Sequence, residues 1–333
     1  MKHYTFIDYV TQGYLMLVGV LVLLFHGDRV PLWPLLIVAH VIGISLVHLL
    51  IRFHATRRTG WLLDFLRHFY PVLLYTGFYR ETGELNQMFV SGYLDPFFIR
   101  LEGRVFGVQP SLEAMPWLPY LWVSELFYAA YFSYYAMIVG VGLALFRRSR
   151  QQFFHYVSVV SFVFYLCYLA YIFTPVMGPR IFLREITEYR LPDDVQPAIV
   201  PPYPPAIQTG PFYQLMTWIY RIFEAPGAAF PSSHVAVALS TVWFSFLYLR
   251  RIRLLHLVVA VLLCLATIYC RFHYAVDVIA GVLAAAMLVP LGNWLYFKYP
   301  KTVQPVVPPG ENSSSDAETP APTDNSADIT KPE

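Results

Sequence analysis

The sequence predicts an all-α fold: a polytopic transmembrane helix bundle of about eight spans, a six-helix core preceded by N-terminal spans. Three observations carry that reading. Of 333 residues 57% are hydrophobic and only 13% charged, about half the ~25% charged share of soluble globular chains. The apolar residues fall in blocks close to or above the ~17 residues a helix needs to cross a bilayer. Arg and Lys gather in the short connections between those blocks, as they do in cytoplasmic loops.

The elements follow in order. A first apolar block, 9–26, stands behind Lys2 and His3. No small-residue cleavage site follows it and further apolar blocks come after, so it reads as a retained span, not a signal peptide. The second block is 31–51. The third, 61–79, carries Asp64, Arg67 and His68 in its first half. Segment 85–116 has the pattern of interfacial amphipathic helices. Spans four and five, 120–146 and 153–174, lead to a Pro-rich loop, 175–230, whose 211–224 stretch is a second interfacial candidate. The sixth block, 235–249, is short; 254–270 and 275–297 complete the set. From about Tyr299 the composition turns to Pro, Ser, Thr, Asp and Glu. Such a tail buries too little surface to offset its ordering entropy and is expected to be disordered. The expected organisation is 1–80 as N-terminal spans, 81–298 as the membrane-embedded functional domain and 299–333 as a cytoplasmic tail. No fixed-period repeat is present.

Eight spans place four basic clusters on one side together with Lys2: Arg52, Arg57 and Arg58; Arg147, Arg148 and Arg150; Arg250, Arg251 and Arg253; Lys298 and Lys301. That side, with both termini, is predicted cytoplasmic. The opposite, non-cytoplasmic face (periplasmic, extracellular or lumenal) then receives 80–119, 175–230 and the junction Cys270–Tyr274. A net charge of +2 without a basic readout patch argues against nucleic acid. Cys167, Cys264 and Cys270 lie in apolar stretches without metal-type spacing.

Three polar groups interrupt the apolar background, all on that opposite face. They are Gly178-Pro179-Arg180, Phe230-Pro231-Ser232-Ser233-His234, and Arg271-Phe272-His273-Tyr274-Ala275-Val276-Asp277. Their chemistry fits a phosphate ester. Arg180 and Arg271 carry planar donor forks that match phosphate oxygens. Pro231-Ser232-Ser233 opens a helix whose first N–H groups favour anions. His234 then stands where it can protonate a leaving oxygen. His273 and Asp277, four apart, share one helix face. A carboxylate there can hold an imidazole in one tautomer while the other ring nitrogen attacks phosphorus.

Each element has a plainer reading: a Pro-Ser-Ser helix start, a local His–Asp pair, or arginines snorkelling at the membrane boundary. Their joint arrival on one face favours function. Glu125, in the outer part of the fourth span, and Glu224, before the second group, are further candidates. Pairing of Glu125 with Arg104 and solvation of Glu224 and Arg221 are the alternatives. Trp117, Tyr120 and Trp122 read as an interfacial aromatic belt.

Pro231-Ser232-Ser233-His234 and Arg271 with His273-x-x-x-Asp277 resemble the second and third motifs of the type 2 phosphatidic acid phosphatase superfamily. The resemblance implies His234 as acid, His273 as nucleophile and Asp277 as its partner, with a phosphohistidine intermediate. Arg180, Ser232, Ser233 and Arg271 would bind substrate phosphate. The family's first motif usually has a Lys where Phe173 stands, and its third usually has five residues between Arg and His, where only Phe272 intervenes here. The third position of the second motif is more often Gly than Ser233. These departures, with Asp95, Glu102, Phe106-Gly107, Pro110, Glu125, Tyr128 and Tyr131 upstream, resemble the branch of inositol phosphorylceramide synthases and related inositolphosphotransferase-like proteins. The resemblance covers about 90–290.

The expected function is therefore that of an integral membrane phosphatase or phosphotransferase on a lipid-linked phosphate ester. Its partners are the lipid phosphate and membrane lipids, with no cofactor and no metal. Hydrolysis and headgroup transfer between lipids share the phosphohistidine and differ in which nucleophile reaches it, so both stand open. A transporter would show two related halves with paired broken helices, and the halves here do not correspond. A metal site of His234, His273 and Asp277 is the remaining alternative, although arginine and histidine act on phosphate without one. The sequence sets neither the lipid and its acceptor nor an oligomeric state.

Overall fold

A computed structural model of the chain describes residues 3–56, 60–183 and 203–298. The expected disordered tail, with Lys301, lies outside the described residues, as do Lys2, Arg57 and Arg58 of the basic clusters. Among the described residues all helices and no strands are found, apart from one isolated parallel bridge between Val176 and Ala228. In chain order the helices are α1 (Phe6–Phe25), α2 (Trp33–Thr56), α3 (Trp61–Leu85), α4 (Asp95–Phe106), α5 (Pro110–Trp117), α6 (Leu121–Arg148), α7 (Arg150–Phe173), α8 (Pro179–Phe182), α9 (Pro205–Gln208), α10 (Pro211–Phe223), α11 (Ser233–Tyr248), α12 (Arg253–Tyr269) and α13 (Ala275–Lys298). Each of the eight expected spans is one helix, and the two interfacial stretches become α4 with α5, and α10.

Five helices, α1, α2, α6, α7 and α13, are long and apolar enough to cross a membrane. The apolar α11 and α12 are shorter, at 16 and 17 residues. The 25 residues of α3 reach about 37 Å at 1.5 Å per residue, and the two charged residues in its first half are paired, Arg67 in the interior and Asp64 near the surface. Arg67 Nη1 and Nη2 donate to Asp8 of α1 at 3.0 and 2.6 Å, and Asp64 meets Arg150 at 3.2 Å. Ionisable groups persist within a bundle only when paired in this way.

Boundaries follow local chemistry. Thr5 and Asp8 form a capping box at the start of α1, and Ser149 caps α7 by accepting from Gln152 N, directly after Arg147-Arg148. Proline, whose missing N–H is harmless at a helix start, opens α5, α8, α9 and α10.

The central helix is α7, apolar on all sides and packed against α1, α3, α6, α11 and α13. A helix apolar all round belongs inside, and polar side chains fix its neighbours. Tyr75 and Ser161 share a 2.7 Å hydrogen bond, Thr11 and Tyr165 one of 3.2 Å, and Tyr156 donates to Ile138 O at 3.0 Å. Such bonds between helices add about 0.6 kcal/mol each within a bilayer. Close packing also requires Gly281 of α13, because a Cβ there would lie 2.6 Å from Ser232 O. The C-terminal ends of α7 and α12 and the N-terminal ends of α11 and α13 thereby meet at one end of the bundle. The other end carries Arg147, Arg148, Arg150, Arg250, Arg251 and Arg253.

Candidate active site

At that end three loops lock together. The loop after α7 runs beside the loop before α11: Val176 N donates to Gly227 O at 3.3 Å and Ala229 N to Val176 O at 2.9 Å. Gly178 has φ +87, and a Cβ on it would sit 2.6 Å from Phe272 O. Only glycine combines that backbone angle with that approach. The next contact, Arg180 N to Arg271 O at 2.8 Å, ties the first group to the third. Arg180 thus reaches the centre, its guanidinium 4.6 Å from the Tyr220 ring centroid and 5.4 Å from that of Phe272. It is ion-paired with Glu224, just past the end of α10.

The second group is anchored from three sides. Ser232 N donates to Asp277 O at 3.1 Å, Ser233 N donates to the Tyr171 hydroxyl at 3.1 Å, and Ser232 Oγ accepts from Val235 N at 3.4 Å. Ser232 is therefore the N-cap of α11, and both serines are buried. Their backbone N–H groups are engaged within the protein. His234, on the first turn of α11, emerges between Tyr131 and Tyr134, with ring centroids 5.0 and 4.6 Å away.

The third group turns sharply. Arg271 adopts φ +62, an angle rare for a residue with a Cβ, and Phe272 N and His273 N both donate to Thr267 O. The turn lets a single residue separate Arg271 from His273, and it places the Arg271 guanidinium 4.8 Å from the Tyr203 ring centroid. Asp277 Oδ2 accepts from Tyr274 N at 2.9 Å and lies 3.4 Å from His273 Nδ1. The other imidazole nitrogen, His273 Nε2, faces His234 Nδ1 at 3.4 Å. Burial pushes His273 down to about 4, opposed by a backbone hydrogen bond at Ala229. The ring is therefore neutral near pH 7, with a lone pair available.

Arg180, Glu224, His234 and His273 line one small cavity, walled also by Tyr79, Tyr220 and Phe272. Asp277 stands behind His273 and outside that lining, as do Ser232, Ser233 and Arg271. Glu125 has a different task. Its carboxylate accepts from Phe212 N at 2.8 Å and Tyr213 N at 3.2 Å, capping α10 and so seating Tyr220 and Glu224. Phe173, at the position where the resembled motif has Lys, is exposed and does not line the cavity.

Sequence reasoning assigned no role to the tyrosine wall or to Asp95 and Glu102. Both carboxylates are buried on the inner face of α4, and an acid on the apolar stripe of an amphipathic helix is the signal that marks them.

A family model described as the PAP2 superfamily matches residues 99–291, and the chain belongs to that superfamily. No curated protein and no solved structure matches the chain.

Proposed function

We propose that this PAP2 superfamily member is an integral membrane phosphatase or phosphotransferase acting on a lipid-linked phosphate ester through a phosphohistidine on His273. Membership supports the phosphatase-type chemistry, and the apolar helices support the membrane setting. One observation carries the residue assignment. The His273 and His234 nitrogens face each other at 3.4 Å beside an arginine whose fork already holds a carboxylate. That carboxylate, Glu224, stands in for the oxygens of a phosphate.

The steps follow from the geometry. A phosphate enters against Arg180 and parts the two rings. Its negative charge favours the protonated form of His234. The His273 Nε2 lone pair forms a bond to phosphorus while the bond to the leaving alcohol breaks. That alcohol's oxygen takes a proton from His234. Asp277 stabilises the positive charge on His273 through Nδ1. In the second step His234 takes a proton from water or an acceptor hydroxyl, the resulting oxygen bonds to phosphorus, and His273 departs. Arg180, with Arg271 behind it, neutralises the equatorial oxygens.

Transfer to an acceptor lipid or an inositol or sugar hydroxyl is the second reading. The aromatic wall of Tyr79, Tyr220 and Phe272 favours it, because such a wall limits the access of water. By the positive-inside argument the site faces the non-cytoplasmic side. Incubating purified protein with phosphatidic acid and phosphatidylinositol, each with and without ceramide or inositol, separates the readings. Free phosphate from phosphatidic acid, or inositol phosphate from phosphatidylinositol, signals hydrolysis, and a new phospholipid signals transfer. The reading fails if neither product forms with any pair, or if His273→Ala retains full activity.

A further inference from the structure

One helix touches all three loops of the site without lining its cavity. On α4, Asp95, Phe98 and Glu102 fall three and four residues apart and share one stripe. All three are buried, whereas Phe97 on the opposite side, and Val105 and Phe106 at the C-terminal end, are exposed. Asp95 Oδ2 accepts from Met177 N at 2.8 Å. Asp95 Oδ1 accepts from Gly178 N and from the Tyr274 hydroxyl, each at 2.9 Å. One carboxylate thus bridges the loop carrying Arg180 and the turn carrying His273. Glu102 Oε1 accepts from Ala275 N, between His273 and Asp277. Leu94 N donates to Pro175 O at 2.8 Å, and the Phe98 ring lies 4.7 Å from that of Phe230 in the second group.

Apart from the Tyr274 hydroxyl and the Phe98–Phe230 ring contact, these are hydrogen bonds with backbone groups, so each restrains position and not only proximity. One residue, Pro179, separates Gly178 from Arg180, and His273 directly precedes Tyr274. A shift at either bond therefore passes to the reacting side chains with little slack. Burial raises both carboxyls to about 7, and the N–H donors oppose that rise. Two buried acids on a 12-residue surface helix are an expensive arrangement, and their partners are all in catalytic loops. Asp95 also lies before the first residue of the matched superfamily stretch, Ile99.

We propose that Asp95 and Glu102 are positioning residues, through which α4 holds the Arg180 loop and the His273–Asp277 turn in mutual register. The proposal rests on the phosphoryl-transfer reading above, with His273 as nucleophile. Because α4 exposes Phe97, Val105 and Phe106, its seating at the membrane surface would then bear directly on the geometry of the reacting groups.

The test uses purified full-length protein in mixed micelles of phosphatidic acid and phosphatidylinositol, with orthovanadate as inhibitor. Tyr274→Phe removes one hydroxyl and one bond to Asp95. Glu102→Gln and Asp95→Asn remove charge with little change of shape, and Asp95→Glu is the conservative control. Misplacing reacting groups by about 1 Å lowers rate by about 100-fold. We expect kcat to fall by that order in Asp95→Asn and by about tenfold in Tyr274→Phe. Asp95→Glu should recover part of the loss, with KM in all variants within about threefold of the unsubstituted protein.

The inhibition constant for orthovanadate, which resembles the transition state, should rise in step with the fall in kcat. A purely structural role would instead lower the active fraction and leave that constant unchanged. The proposal is overturned if Tyr274→Phe and Glu102→Gln keep kcat and the vanadate constant within about threefold. It is equally overturned if activity falls with the constant unmoved. Should Asp95→Asn fail to fold, those two variants decide. An unsubstituted protein inert toward both lipids and insensitive to vanadate removes the underlying function instead, and this proposal with it.

Discussion

The two ends of the bundle both bury charge, but they treat it differently. At the arginine-rich end Asp8 is saturated. It accepts from Thr5 N, Thr5 Oγ1, two Arg67 nitrogens and the Tyr70 hydroxyl, at 2.6 to 3.0 Å. It does not line the cavity at the opposite end. At the opposite end Asp277 Oδ2 has one backbone donor and a histidine at 3.4 Å, and its Oδ1 accepts from no described residue. Arg180 shares its fork with a carboxylate at the edge of a cavity. Saturated polar clusters hold helices together. Incompletely matched ones beside open space keep capacity for a substrate, at some loss of stability.

Substitutions can break this contrast. The largest expected effect is on catalysis: His273→Ala should lower kcat by about 10⁴-fold, with the melting temperature close to that of the unsubstituted protein. Arg67→Ala should do the reverse. Leaving Asp8 buried and uncompensated destabilises by about 3–5 kcal/mol, while the protein that remains folded keeps its kcat. Thermal unfolding in detergent beside steady-state rates reads both. A large activity loss without unfolding in Arg67→Ala would erase the distinction between the two ends.

Glu224→Gln probes the same contrast more gently. Removing the counter-charge from Arg180 frees its fork for anions, so orthophosphate should inhibit about tenfold more strongly, the weight of one charge-assisted bond. Unchanged inhibition would place the phosphate away from Arg180.

The smallest effect concerns pH. The folded pKa of His273, about 4, lies below the ordinary 6.5. Between those values the unfolded chain binds a proton that the folded protein does not, so this group removes stability as pH falls from about 6.5 to 4. Above 6.5 its contribution is flat. Melting temperatures of the protein and of His273→Asn across pH 4–8 should therefore diverge only on the acid side. Divergence near pH 8 instead would contradict a neutral buried imidazole.

Much of this was legible in the sequence. The eight helices follow from block length and from arginines in the turns, both local signals. The meeting of Arg180, His234 and His273 at one end follows from counting spans. The second layer was not legible, because its partners lie far apart along the chain. Asp95 is 82 and 83 residues from the backbone donors it holds and 179 from Tyr274. Glu125 is 87 residues from the first helix N–H it caps. The serines read from sequence as phosphate ligands have their N–H groups engaged by Tyr171 and Asp277 O, contacts that no local pattern announces. The left-handed angle at Arg271, which turns its side chain toward Tyr203, likewise depends on the tertiary fit of a one-residue spacer.

The central claim is that His273 carries the phosphoryl group. Its most direct test is an acid-free quench of purified protein turning over phosphatidic acid or phosphatidylinositol labelled at phosphorus, followed by peptide mapping. The account predicts an alkali-stable, acid-labile label on the peptide containing His273 and no label in His273→Ala. Turnover with the label on another residue, or undiminished turnover and labelling in His273→Ala, would contradict it.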